Sequence, residues 1–78
     1  MSVLMSDAHY REIAARLIEY GRKRAEVEAV DRDQLVWIAH RAGMPKTEIA
    51  RLTGLSWATV DRTVRDVEAK NGRAEERR

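Results

Sequence analysis

The chain contains no cysteine and no phenylalanine, and its 78 residues include a single proline, two tryptophans and two tyrosines. Without cysteine, disulfides and thiolate metal sites are excluded, which suits a reducing cytoplasm. The histidines, His9 and His40, are far apart in sequence and predict no zinc site. No apolar run approaches the length of a membrane span, and the opening residues are too few and too uncharged for a signal peptide. We therefore expect a soluble, cytoplasmic protein without a metal, a cofactor or a membrane partner.

The charge is modest in total but unevenly distributed. The whole chain has a net charge of +2. Residues 43–65 contain four basic and two acidic side chains, an excess of two that equals the net charge of the whole chain. Twelve of the fifteen basic residues are arginine. This bias suits bidentate binding of phosphate and guanine, and codon usage in a GC-rich bacterial genome explains it equally well.

The apolar spacing predicts a long amphipathic first helix. Ser6 is a suitable cap and Asp7 lies in the first turn. No strong helix breaker occurs from Arg22 to Val30, so we expect this helix to run to about residue 28. The inward face has apolar or small residues at three-and-four spacing: Ile13, Ala14, Leu17, Ile18 and Gly21. We expect Tyr10 and Tyr20 at the rim of this helix.

Two further helices follow with recognisable ends. Asp31 and Gln34 have the spacing of a capping box that would open the second helix, and Gly43 would end it. Pro45 is expected at the first position of the third helix, where a missing N–H group costs nothing. The inward face of the second helix is predicted from its apolar residues: Leu35, Val36, Ile38, Ala39 and Ala42, with Trp37 in the core or at its edge.

The fourth helix is predicted from Trp57 to about Glu68, with Val60, Val64 and Val67 on its buried face. Residues 70–78 are polar and lack apolar periodicity, which predicts a disordered tail. The fold expected from these patterns is all-α, a four-helix single domain over residues 6–69.

The junction between the third and fourth helices is the most specific pattern in the chain. Ala50 is a small residue at the expected helix crossing, and Gly54 follows at the end of the third helix, where a left-handed backbone favours glycine. Leu55 would plug the crossing, and the Ser56 hydroxyl would cap the fourth helix. An ordinary helical hairpin accounts for the glycine and the leucine but not for the remaining spacing. Residues 45–67 resemble a bacterial helix-turn-helix DNA-binding unit.

The resemblance implies that the fourth helix enters the major groove of double-stranded DNA. Carried over residue by residue, it places five side chains against bases: Ser56, Trp57, Ala58, Asp61 and Arg62. It places four against phosphates: Lys46, Thr47, Arg51 and Arg65.

Three of these residues have alternative roles. Arg62 either gives two hydrogen bonds to guanine or pairs with Asp66 within its own helix. Asp61 either accepts from a cytosine amino group or orders Arg65 one turn away. Trp57 either meets DNA, packs on the third helix or faces a protein partner.

These features predict a small transcriptional regulator that binds DNA, with no catalytic site. The alternative is a protein-interaction module in which the same scaffold binds polymerase or a larger regulator. A homodimer is also expected, because one recognition helix reads few base pairs. Its candidate surface consists of apolar residues near the two ends of the first helix: Val3, Leu4, Met5, Val27 and Val30.

Overall fold

The computed structural model describes the backbone of residues 7–76 and the side chains of residues 7–71. Within this part of the chain there are four α-helices and one short 3₁₀ turn: α1 (Asp7–Lys23), the 3₁₀ turn (Arg24–Glu26), α2 (Ala29–Arg41), α3 (Lys46–Thr53) and α4 (Trp57–Glu76). The expected all-α four-helix fold is confirmed. Ser6, the expected cap of α1, lies outside the described residues.

The helices pack around one core. α1 contacts α2 and α3, and α4 contacts the same two helices. Nine residues from the four helices and the α2–α3 connection form the buried cluster: Ile13, Leu17, Val36, Ala39, Ala42, Met44, Ile49, Val60 and Val64. The predicted inward valines of α4 are all buried, and Trp37 packs at the edge of the core as expected. The arrangement fixes α3 and α4 on a platform made by α1 and α2.

Three predictions about buried faces are wrong. Ile18 and Ile38 are 46% and 45% exposed, because each lies beyond the stripe that its helix turns toward the core. Tyr20 is buried rather than at the rim, at 7% exposure. A tyrosine carries a large apolar ring, whose burial is favourable.

α1 is shorter than expected. It ends at Lys23 instead of near residue 28, and Val27 then takes an extended conformation with φ −106° and ψ 130°. Neither glycine nor proline marks this turn. The helix ends here because the chain must reverse for α2 to pack against α1, and a β-branched valine accepts the extended geometry readily.

The expected capping box at Asp31 does not form. α2 begins at Ala29 with Glu28 as its cap residue, and the Glu28 side chain makes no capping hydrogen bond. The backbone N–H of Arg32 donates to the Glu28 carbonyl at 3.0 Å, so the helix already exists before Asp31. Asp31 instead lies within the first turn, where a carboxylate interacts favourably with the helix dipole.

The other helix ends are close to their predicted positions. Gly43, with φ 105°, follows the end of α2, and the N–H of Met44 donates to the Ala39 carbonyl at 3.1 Å. Pro45 is the residue before α3 rather than its first residue, and its carbonyl accepts from Glu48 and Ile49. The chain therefore passes from α2 to α3 through a short connection whose backbone groups are bonded.

α4 is longer than predicted. It continues to Glu76, past both the expected end near Glu68 and the start of the predicted tail at residue 70. Residues 73–76 are Arg-Ala-Glu-Glu, all good helix formers, and no proline interrupts the segment. Once a helix is nucleated, each further residue adds a hydrogen bond without requiring an apolar face. Residues 77 and 78 lie outside the described part.

Candidate nucleic-acid interface

The turn between α3 and α4 is fixed by its own backbone and by one buried threonine. Gly54 adopts φ 79°, and its N–H donates to the Ala50 carbonyl at 2.9 Å. The Thr53 hydroxyl donates to the Ile49 carbonyl at 2.7 Å and accepts from the N–H of Leu55 at 3.2 Å. Because Thr53 is 1% exposed and bonded on both sides, the geometry of the turn is strongly constrained.

Ser56 caps α4 as predicted. Its hydroxyl oxygen accepts from the Thr59 N–H at 3.1 Å, and its O–H lies 2.9 Å from the Thr59 hydroxyl oxygen. Leu55 packs against the core as a partly buried residue. The turn therefore sets the direction in which α4 leaves α3.

One carboxylate joins the two helices. Asp61 of α4 is 8% exposed and binds Lys46, at the start of α3, between Oδ1 and Nζ at 2.7 Å. Its second oxygen binds the Nη2 atom of Arg65 at 2.7 Å, one turn further along α4. The hydrogen bond from Lys46, assisted by the charge of Arg65, holds the pKa of Asp61 below its ordinary value despite burial, which acts in the opposite direction.

This arrangement bears directly on the two alternatives for Asp61. The ion pair with Arg65 is the one expected from the spacing of the two residues on α4. A contact with a cytosine amino group would compete with the cation that each carboxylate oxygen already binds, at a residue that is only 8% exposed. The geometry therefore favours Asp61 as the residue that orders Lys46 and Arg65.

We expect Asp61→Asn to lower the melting temperature at pH 7, because it removes the charge from two ion pairs. The folded state lowers the pKa of Asp61, so its stabilisation is full above the unfolded value of about 3.9 and is lost as pH falls through the folded value. The difference in melting temperature between wild type and variant should consequently shrink as the pH is lowered from 5 to 2. Thermal melts followed by circular dichroism at several pH values would measure it.

Asp66→Asn is the matched control, since Asp66 is exposed on the same helix and makes no ion pair within the described residues. It should change the melting temperature little at any pH. Equal pH dependence of the two variants would contradict the role given to Asp61.

Among the described side chains of α4, Arg62 is an exposed arginine that has no carboxylate partner. Ala58, Arg62 and Arg65 follow each other at helical spacing and are all exposed. Among the described residues Arg62 makes no ion pair, and the expected alternative pair with Asp66 is not formed. Its guanidinium is therefore available to an external acceptor.

Trp57 begins α4 and is 51% exposed. The ammonium of Lys46 lies 5.8 Å from the centroid of its ring, within the range of a cation–π contact. The indole therefore contacts Lys46 of α3 on one side, and about half of its surface is open to a ligand.

The remaining predicted phosphate contacts lie on α3. Thr47 is exposed near its start. Arg51 is exposed, and both of its bonding nitrogens reach Glu48, with distances of 3.0 and 2.6 Å. This exposed pair lowers the pKa of Glu48, principally through the hydrogen bond from Arg51, and holds the guanidinium in one orientation.

Sequence reasoning missed Arg24 as a part of this surface. Its Nη1 atom donates to the Gly54 carbonyl at 3.3 Å, across 30 residues of chain. The sequence signal was the basic run at residues 22–24, which allows contact with a phosphate or a partner and is typical of a solvated helix face. Two of its three members do behave so, because Arg22 and Lys23 pair with Glu19 on α1.

The described residues contain no group of three or more histidine or acidic side chains arranged to hold a metal ion. None of the helices between residues 7 and 76 combines the length and apolar character that a membrane span requires. Comparison with protein-family models, with curated proteins and with solved structures finds no match.

Proposed function

We propose that this protein binds double-stranded DNA in a sequence-specific manner through the α3–α4 pair, as a small transcriptional regulator. The observation that carries the proposal is the exposed, unpaired Arg62 on a helix whose direction is set by Gly54, Thr53 and Ser56. An arginine at that place can give two hydrogen bonds to guanine in the major groove.

The proposed base contacts come from the first two turns of α4. Arg62 would read a guanine, and the small Ala58 would allow close approach of the helix to the base edges. Ser56 would reach DNA only with part of its hydrogen-bonding capacity, since its hydroxyl also caps α4. Trp57 would pack its exposed half on a thymine methyl group or a sugar.

The proposed phosphate contacts come from Lys46, Thr47, Arg51 and Arg65. The three cations are each paired with a carboxylate in the free protein. Such pairs reduce the net attraction to a phosphate, yet they also keep long side chains in place and so lower the entropy that is lost on binding. Arg24 adds a fourth cation beside the turn.

A protein-interaction module is the second candidate, and the exposure of Trp57 favours it. Half-exposed tryptophans are frequent at the centre of protein interfaces. In this alternative the α3–α4 pair would bind polymerase or a larger regulator, and the carboxylate-paired cations would act as a polar rim. In either case we propose a cytoplasmic protein without catalytic activity. The Ser56 hydroxyl is engaged with Thr59 and not with a base.

The salt dependence of binding to duplex DNA tests the proposal. Lys46, Arg51 and Arg65 together give roughly three phosphate contacts, so a plot of log K against log salt should have a slope of about −3 per monomer. Fluorescence anisotropy with a labelled random duplex between 25 and 200 mM salt would measure it.

Arg51→Ala should flatten this slope by about one. Arg11→Ala is the charge-matched control, because Arg11 is exposed on α1 and outside the α3–α4 pair. No binding at low salt would refute DNA binding and favour the protein partner. Equal effects of the two variants on the slope would refute the assignment of the DNA-binding surface to the α3–α4 pair.

A further inference from the structure

α2 differs from the other helices because it has apolar residues on two sides. Val36 and Ala39 face the core and are fully buried. Val30 and Ile38 lie on the opposite side and are 62% and 45% exposed. They are two of the four large hydrophobic side chains that are exposed in the described chain. Exposed apolar side chains indicate a binding surface where they adjoin further apolar surface.

The exposed apolar side continues into a groove. Asp31, Gln34, Leu35 and Ile38 have the spacing i, i+3, i+4 and i+7, so they form one continuous strip along α2. Asp31 and Leu35 also line a groove of about 270 Å³ between α2 and the end of α1, whose wall is mainly apolar. The groove and the strip together make one surface, which we call the α2 seam and which includes Val30 and Arg41 at its ends.

The charges at the two ends of the α2 seam are opposite. Glu28 and Asp31 are exposed at its start, and Arg41 is exposed at its end. None of the three forms an ion pair within the described residues. The Arg41 guanidinium instead lies over the ring of Trp37, 5.2 Å from its centroid. The surface is therefore complementary to an inverted copy of itself.

We propose that the α2 seam binds a second copy of this chain, with the two α2 helices antiparallel across a two-fold axis. In this arrangement Glu28 and Asp31 of each subunit face the Arg41 of the other. The two helix dipoles are antiparallel, which is the favourable orientation for helices side by side. Val30 of one subunit and Ile38 of the other cover the exposed apolar surface. The pairing leaves α3 and the proposed DNA-contacting residues of α4 outside the interface.

This surface replaces part of the one expected from the sequence. Val30 belongs to the α2 seam, and the partly buried Val27 lines its groove. The other three expected residues, Val3, Leu4 and Met5, lie outside the described residues. The use of the dimer to place two recognition helices on one duplex rests on the proposed DNA binding. The pairing itself does not, so it is tested without DNA.

Two isoleucines provide a matched test of the apolar part. Ile38 and Ile18 are almost equally exposed, but only Ile38 lies on the α2 seam. Sedimentation equilibrium from 1 µM to 1 mM should show a dimer for wild type and for Ile18→Glu. Ile38→Glu should raise the dissociation constant about tenfold or more, because it buries a charge against an apolar surface. A monomeric wild type at 1 mM, or equal effects of the two variants, would overturn the proposal.

Charge exchange tests the antiparallel arrangement. The double variant Glu28→Lys with Asp31→Lys has two basic ends, and Arg41→Glu has two acidic ends. Each alone should be monomeric where wild type is dimeric, because like charges then meet at both contacts. An equimolar mixture should form a heterodimer with nearly the wild-type dissociation constant.

Circular dichroism would check that each charge variant is as helical as wild type. Recovery in the mixture supports antiparallel self-pairing, since it requires both contacts to be restored at once. Failure of the mixture to associate would overturn it, whatever the result of any DNA-binding experiment.

Discussion

We expect Gly21→Val to lower the melting temperature by about 10–20 °C, the largest effect expected from any single substitution on the surface between α1 and α3. A β-carbon at Gly21 would lie 3.1 Å from the carbonyl oxygens of Leu52 and Thr53. Both are backbone atoms at the end of α3, so they cannot turn aside as a flexible side chain would. Overpacking of this kind costs about 2–3 kcal/mol of folding free energy.

The matched control is Ala15→Val, which adds the same side chain at an exposed position of α1. It should cost only a few tenths of a kcal/mol through the lower helix propensity of valine. Thermal melts followed by circular dichroism would compare the two variants. Similar melting temperatures would show that α1 does not approach the end of α3 as closely as the structure describes.

Arg62→Ala should remove much of the sequence preference while leaving non-specific affinity largely in place. A bidentate arginine–guanine contact is worth about 1–3 kcal/mol of discrimination, or roughly 5-fold to 150-fold between the preferred base and its competitors. Selection of bound sequences from a random duplex library, performed in parallel with wild type and variant, would measure the loss at one position of the site.

Arg51→Ala provides the contrast for this result. Arg51 is held by Glu48 and is proposed to touch phosphate only, so its removal should weaken all sequences alike. An unchanged base preference in Arg62→Ala would show that Arg62 is not in the groove. That result would not contradict the salt-dependent DNA binding proposed for the other cations.

The structure also connects stability to the proposed interface. Gly21 allows α1 to approach α3, and Arg24, just after α1, donates to the Gly54 carbonyl of the turn. Lys46 and Asp61 then connect the start of α3 to α4. The α3–α4 pair is thus supported at its turn by α1 and across its open end by an ion pair, so that a change in either contact should alter the direction of α4.

The sequence alone determined the features that depend on neighbouring residues. The left-handed Gly54, the Ser56 cap and the buried valines of α4 all follow from backbone sterics, short hydrogen bonds or helical periodicity within a few positions. The four helices and the position of the turn were predictable for the same reason. The DNA-binding role assigned to them stays a prediction.

The tertiary structure decided what depends on distant parts of the chain. Gly21 was expected on the inward face of α1, and only the tertiary structure shows that a β-carbon there would lie 3.1 Å from two carbonyl oxygens of α3. The helix-turn-helix resemblance places Asp61 against bases, but Lys46, fifteen positions away, binds its carboxylate. Periodicity records which side of a helix is apolar, but it carries no information on which element will cover that side. Long-range contacts therefore set the end of α1, the partners of the charged residues and the exposed side of α2.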